Sequence, residues 1–124
     1  MPRATNDITQ VDRHDLKTCE GGYVELRRMT YGQYLHRSGM AMDMQMRGEK
    51  GGRNSVVDID LGQEKVTEYE FGICIAAHNL TDDQDVPLDF KKAAHVHLLD
   101  ARVGQEIGDL INKMNTFDEE EAPN

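Results

Sequence analysis

Tryptophan is absent, prolines number three and cysteines two, and aromatic residues make up only 6% of the 124-residue chain. Cys19 and Cys74 are too few for the disulfide framework that stabilises small secreted domains, so they read as reduced thiols in a cytosol. No run of 18 apolar residues occurs, which excludes a membrane-spanning helix at the level of sequence. The opening Met1-Pro2-Arg3-Ala4-Thr5-Asn6-Asp7 lacks the apolar stretch of a signal peptide. A soluble cytosolic protein is expected.

Basic residues are also scarce, 14 against 23 acidic, for a net charge of −9. The imbalance is uneven. Residues 23–53 carry 6 basic and 3 acidic groups, whereas residues 54–124 carry 5 and 16. So acidic a C-terminal half repels phosphates and argues against nucleic acid as a partner. It suits a basic protein partner, or head-to-tail self-association between the two blocks. With 38% hydrophobic residues, the single domain this length allows has a lean core.

Residues 1–18 show no sustained period and read as a flexible arm. After Gly21-Gly22, Val24 and Leu26 alternate with Glu25 and Arg27, the pattern of a short strand. Thr30 and Gln33 have capping-box spacing, and a helix is expected from there to about Ser38-Gly39. Methionine then falls at 40, 42, 44 and 46. With the glycine-rich stretch 48–52 and the alternating Val57-Asp58-Ile59-Asp60-Leu61, this describes a β-hairpin. The competing reading continues the helix through Met46, since Met and Ala are good helix formers.

Val66, Tyr69, Ile73 and Ala76/Ala77 recur at helical spacing, predicting a largely buried helix over 63–79. A polar acidic loop follows at 81–87, then a short helix from Lys91 or Lys92 to Leu99. Asp100 is a plausible N-cap for a last helix over 100–116, with an apolar stripe of Val103, Ile107, Leu110, Ile111 and Met114. Gly104 and Gly108 have the spacing of a close helix crossing. Residues 118–124 read as an acidic, disordered tail after a single domain over 19–117. The fold class expected is α+β: a small, mainly helical domain with a short strand and a hairpin.

Few constellations invite chemistry. Cys74 and His78 lie one helical turn apart, and His95 and His97 supply two more imidazoles, a donor set zinc accepts. Against it, Cys74 sits among Phe71, Ile73 and Ile75, as a core thiol does, and His95 and His97 point to different sides of a helix. The loop Asp82-Asp83-Gln84-Asp85 lacks the glycine and glutamate of an EF-hand, and Ser38 and Ser55 lack a nucleophile-elbow context. A non-enzymatic protein without cofactor is expected. Candidate protein-binding residues are Met40, Met42, Met44 and Met46, because methionine adapts to varied partners, and Arg27 and Arg28, which could anchor an acidic one.

Three segments taken in order resemble the tail assembly chaperones of long-tailed bacteriophages, especially those infecting Gram-positive hosts. They are Tyr23-Val24-Glu25-Leu26-Arg27-Arg28-Met29-Thr30-Tyr31-Gly32, Lys65-Val66-Thr67-Glu68-Tyr69-Glu70-Phe71, and Leu99-Asp100-Ala101-Arg102-Val103-Gly104-Gln105-Glu106-Ile107. The similarity spans about residues 19–120, and Ala101 departs from it where proline would follow the aspartate. The resemblance implies a chaperone in the host cytoplasm that binds the tape measure protein, recruits major tail tube subunits, often self-associates, and is not retained in the mature virion. A minor tail or head–tail joining protein is the alternative, with a zinc-binding regulator behind it.

Overall fold

A computed structural model describes residues 2–7, 9–50 and 54–116, with residues 43–61 described as backbone only. Phe117 and the acidic stretch 118–124 lie outside the described residues, as does the glycine-containing connection 51–53. The elements run β1 (Asp12–Asp15), β2 (Tyr23–Leu26), α1 (Tyr31–Lys50), α2 (Asn54–Cys74), β3 (Ile75–His78), α3 (Ala93–His97) and α4 (Ala101–Met114). The α+β class holds: four helices accompany a three-stranded antiparallel sheet of order β1-β2-β3.

β2 is the central strand, and its alternation survives in three dimensions. Val24 and Leu26 are fully buried, while Tyr23 and Glu25 remain partly exposed. β1 pairs with β2 from Asp12 opposite Leu26 to Asp15 opposite Tyr23, so part of the expected arm is a structural strand. Its pattern Asp-Arg-His-Asp carries no apolar signal. What holds it is the ladder, together with the Arg13 guanidinium lying 4.0 Å from the Tyr23 ring centroid. The turn of this hairpin needs its glycines. Gly21 has φ of +80°, and a Cβ at Gly22 would lie 3.0 Å from both Cys19 Sγ and Leu80 Cδ2. Asn79 closes the turn from the far side, accepting from Tyr23 N at 2.8 Å and donating to Gly21 O at 2.8 Å.

The expected hairpin over 40–46 and 57–61 is replaced by two helices. Thr30 and Gln33 form the capping box, with Gln33 Oε1 accepting from Thr30 N at 2.9 Å and Thr30 Oγ1 from Gln33 N at 3.2 Å. The helix that starts there runs for 20 residues, so all four methionines are helical and do not share the single face a strand would provide. The second period-2 run, Val57–Leu61, lies within α2. Methionine and alanine propensity thus outweighs an alternation that was compositional rather than structural.

The helix expected over 63–79 begins earlier, at Asn54, and stops at Cys74. Residues 75–78 leave it without a loop to pair as β3, with Val24 opposite His78 and Leu26 opposite Ile75 across an irregularity at Glu25/Leu26. Sheet completion beats the helical spacing of Ala76 and Ala77 because β2 would otherwise present an unpaired edge beside the core.

The core lies where this sheet meets the C-terminal part of α2, the segment 80–90 and α4. Val24, Leu26, Phe71, Cys74, Ile107 and Ile111 are its most deeply buried side chains. α4 forms as expected: Asp100 Oδ1 caps Arg102 N at 2.9 Å, and the Val103-Ile107-Ile111 stripe faces inward. Gly108 meets open space, so the Gly104/Gly108 pair marks no helix crossing among the described residues. Buried Asn115 ends the helix. Its Oδ1 accepts from Met29 N at 2.9 Å and its Nδ2 donates to Ile111 O at 2.9 Å.

Glu106 on α4 grips the β1–β2 connection from outside. Its carboxylate accepts from Lys17 N (2.9 Å), Thr18 N (3.0 Å) and Thr18 Oγ1 (2.6 Å). The Lys17 amide foremost, with Thr18, holds its pKa below the usual glutamate value. A depressed carboxylate pKa contributes stability that is fully present above the unfolded value and disappears as pH falls through the folded one. Glu106→Ala is therefore expected to cost about 1 kcal/mol at pH 7, given its exposure, and this deficit should shrink as the pH falls below the ordinary glutamate value. Urea unfolding of both chains at pH 7 and pH 3.5 checks it; a deficit unchanged between the two would remove the ionised clamp.

Candidate protein-binding surfaces

The four candidate zinc ligands do not converge among the described residues. Cys74 is fully buried, and desolvation, with Glu70 as a nearby negative charge, pushes its thiol up to about 12. His78 tilts against Phe90 with ring centroids 4.6 Å apart, and its Nδ1 accepts from Leu80 N at 3.0 Å. Burial lowers its pKa. His95 Nδ1 accepts from Asp89 N at 2.9 Å. A ring nitrogen that accepts a backbone N–H has its lone pair committed.

His97 takes another route, meeting Glu68 Oε1 at 2.9 Å through Nε2. Glu64, one turn away on α2, completes a trio whose ligand-type atoms lie within 4.8 Å of one another. Hydrogen bonding to Glu68 raises the His97 pKa. The pairing fastens the end of α3 to α2 as an ion pair when the imidazole is protonated. Sequence reasoning missed it; the i, i+4 spacing of Glu64 and Glu68 was the available signal, but the partner histidine is 29 residues on.

α1 packs almost wholly against α2. On its inner side Arg37 Nη1 lies 3.3 Å from Glu70 Oε1 in a half-buried ion pair, and the exposed His36 tilts against Tyr69 with ring centroids 4.8 Å apart. Burial raises the Glu70 pKa, partly offset by Arg37. Met40 shares this half-buried side. Two residues on, Met42 points outward at 63% exposure, in line with Tyr31 at 75% and Leu35 at 50%. At 3.6 residues per turn these three fall within an arc of about 40°, in a row about 16 Å long. Met40 and Met42 thus belong to opposite sides of one helix; the side chains of Met44 and Met46 lie outside the description.

Arg27 and Arg28 follow β2, and both line a cleft of about 570 Å³ that Arg3 enters from the N-terminal segment. Asn6 ties that segment down, donating from Nδ2 to Arg28 O at 3.0 Å and Met29 O at 3.1 Å. Arg27 Nε is buried without a hydrogen-bond partner. Two of the six candidate residues therefore meet in one cleft, and one, Met42, lies on a separate exposed face.

Comparison with protein-family models, curated proteins and solved structures yields no match for this chain. Among the described residues no helix is long and apolar enough to cross a membrane.

Proposed function

We propose that this chain is a non-enzymatic tail assembly chaperone of a long-tailed bacteriophage. It acts in the host cytoplasm, where it covers apolar helices of the tape measure protein, recruits major tail tube subunits and associates with copies of itself. The observation that carries the reading is the exposed apolar row Tyr31, Leu35 and Met42 on α1, a helix whose other side is already occupied by α2. An apolar row on a helix face is what a helix-in-groove partner requires, and the acidic remainder of the chain favours solubility of the complex. The resemblance of segments 23–32, 65–71 and 99–107 to that family supports the same conclusion.

The test is co-expression with the tape measure protein of the same phage. A soluble complex co-eluting on a sizing column is expected. Leu35→Glu and Met42→Glu should each weaken it at least about tenfold, since fully burying such a side chain is worth about 1.5–3 kcal/mol. Neither substitution should change the melting temperature of the chaperone alone, because both positions are exposed. Unchanged solubility of the tape measure protein and no complex would overturn the reading. Stoichiometric presence in purified virions would point to a structural tail protein instead.

A further inference from the structure

Metal-type donors gather where α3 meets α2, on residues that belong neither to the α1 face nor to the arginine cleft. Glu64 and Glu68 stand one turn apart on α2, and His97 is the last residue of α3. One donor atom from each lies within 4.8 Å of the other two, and His97 Nε2 is 2.9 Å from Glu68 Oε1. With Gln63, Thr67 and Val96 they line an open hollow of about 400 Å³, room for an ion and the water that completes its shell.

The ion pair between His97 and Glu68 leaves part of this arrangement unexplained. Carboxylates at i and i+4 on one helix repel each other, and among the described residues neither Glu64 nor Glu68 pairs with a lysine or arginine. An imidazole carries at most one positive charge, so it cannot neutralise both; a divalent cation does. α3 also has little else to fasten it. It is five residues long, has no side-chain N-cap hydrogen bond and buries no residue.

The spacing suits zinc. Nitrogen and oxygen ligands about 2.0–2.2 Å from a tetrahedral zinc stand about 3.3 Å apart. The Nε2–Oε1 pair is close to that separation, and Glu64, exposed to solvent, can close the rest by side-chain rotation. An imidazole nitrogen beside two carboxylates favours zinc over magnesium or calcium, which prefer shells made wholly of oxygen.

We propose that Glu64, Glu68 and His97 bind one zinc ion that ties α3 to α2, with water at the fourth position. A carboxylate only accepts, so Nε2–H is the donor to Glu68; zinc replaces that hydrogen bond and its proton leaves to solvent. The site is structural and stands apart from the chaperone reading.

The test is calorimetric titration of the full, metal-stripped chain with ZnCl2 at pH 7.5, with MgCl2 as the control. One zinc per chain and no magnesium binding are expected. His97→Gln and Glu68→Gln should each lower zinc affinity at least about tenfold, since even partners outside the ligand shell are worth that much. Glutamine at 68 still accepts a hydrogen bond, so that loss reads ligation rather than the original contact. Zinc should shift the His97 ring signals in proton–carbon NMR spectra and leave those of His14 unmoved. It should raise the melting temperature of the parent but not of His97→Gln, whose metal-free value should match the parent's because the pair is exposed. Cys19→Ser should bind zinc as the parent does. No zinc binding, equal binding of magnesium, affinity unchanged in either glutamine variant, unmoved His97 signals, or binding lost in Cys19→Ser overturns the proposal.

Discussion

Phe71→Ala is expected to destabilise the protein by about 3–5 kcal/mol, the range for truncating a buried phenylalanine. Phe71 heads the fully buried side chains, at 1% exposure, and meets the Phe90 ring edge-on with centroids 6.1 Å apart. Phe90 belongs to the segment after β3, so the pair joins α2 to a connection that has little regular structure of its own. Removing the ring leaves a cavity in the buried cluster that also holds Phe90, Leu88 and Val24. In a domain whose total stability is about 5–15 kcal/mol, this loss takes much of the margin. Phe71→Leu, which keeps most of the volume, should cost far less. Urea midpoints of the three chains measure both; a loss below about 1 kcal/mol in Phe71→Ala would show that this ring is not at the centre of the core.

The two cysteines should differ sharply in reactivity. The thiolate is the nucleophile, and burial pushes the Cys74 thiol up to about 12. Glu70 adds to that shift, while Arg37 and Arg27 only partly oppose it. At pH 8 a thiol so shifted is ionised about a thousandfold less than an ordinary one, before its lack of access is counted. Cys19 is half-buried beside the hairpin turn. Iodoacetamide at pH 8 followed by peptide mass mapping should therefore label Cys19 alone in the native chain, and both cysteines in 8 M urea. Native labelling of Cys74 at a rate similar to Cys19 would place it outside the core and reopen thiolate chemistry at that position.

Local chemistry was readable where residues a few positions apart decide the outcome. Thr30 and Gln33 cap each other, Asp100 caps α4, Val24 and Leu26 alternate into the core, and the Val103-Ile107-Ile111 stripe faces inward. The same short-range logic misled at the methionines, because alternation over seven residues describes a strand only if a neighbouring strand exists to use it. At 75–78 the error runs the other way: the spacing of Ala76 and Ala77 is helical, and β2, 49 or more residues earlier, takes this segment as a strand.

The candidate surfaces divide along the same line. That Arg27 and Arg28 are adjacent cations and that methionine is abundant after residue 39 is plain from the chain. That Arg3 joins the arginines, that Met42 turns outward while Met40 turns in, and that His97 finds Glu68 rather than Cys74 depends on how distant segments close upon one another. Sequence by itself determined the α+β class, the helix caps and the apolar stripe of α4, since hydrogen bonds and periodicities within a few residues set them. Tertiary structure decided β1, β3 and the makeup of the charged clusters: their partners lie tens of residues away, and only burial of a shared core repays the entropy of bringing them together.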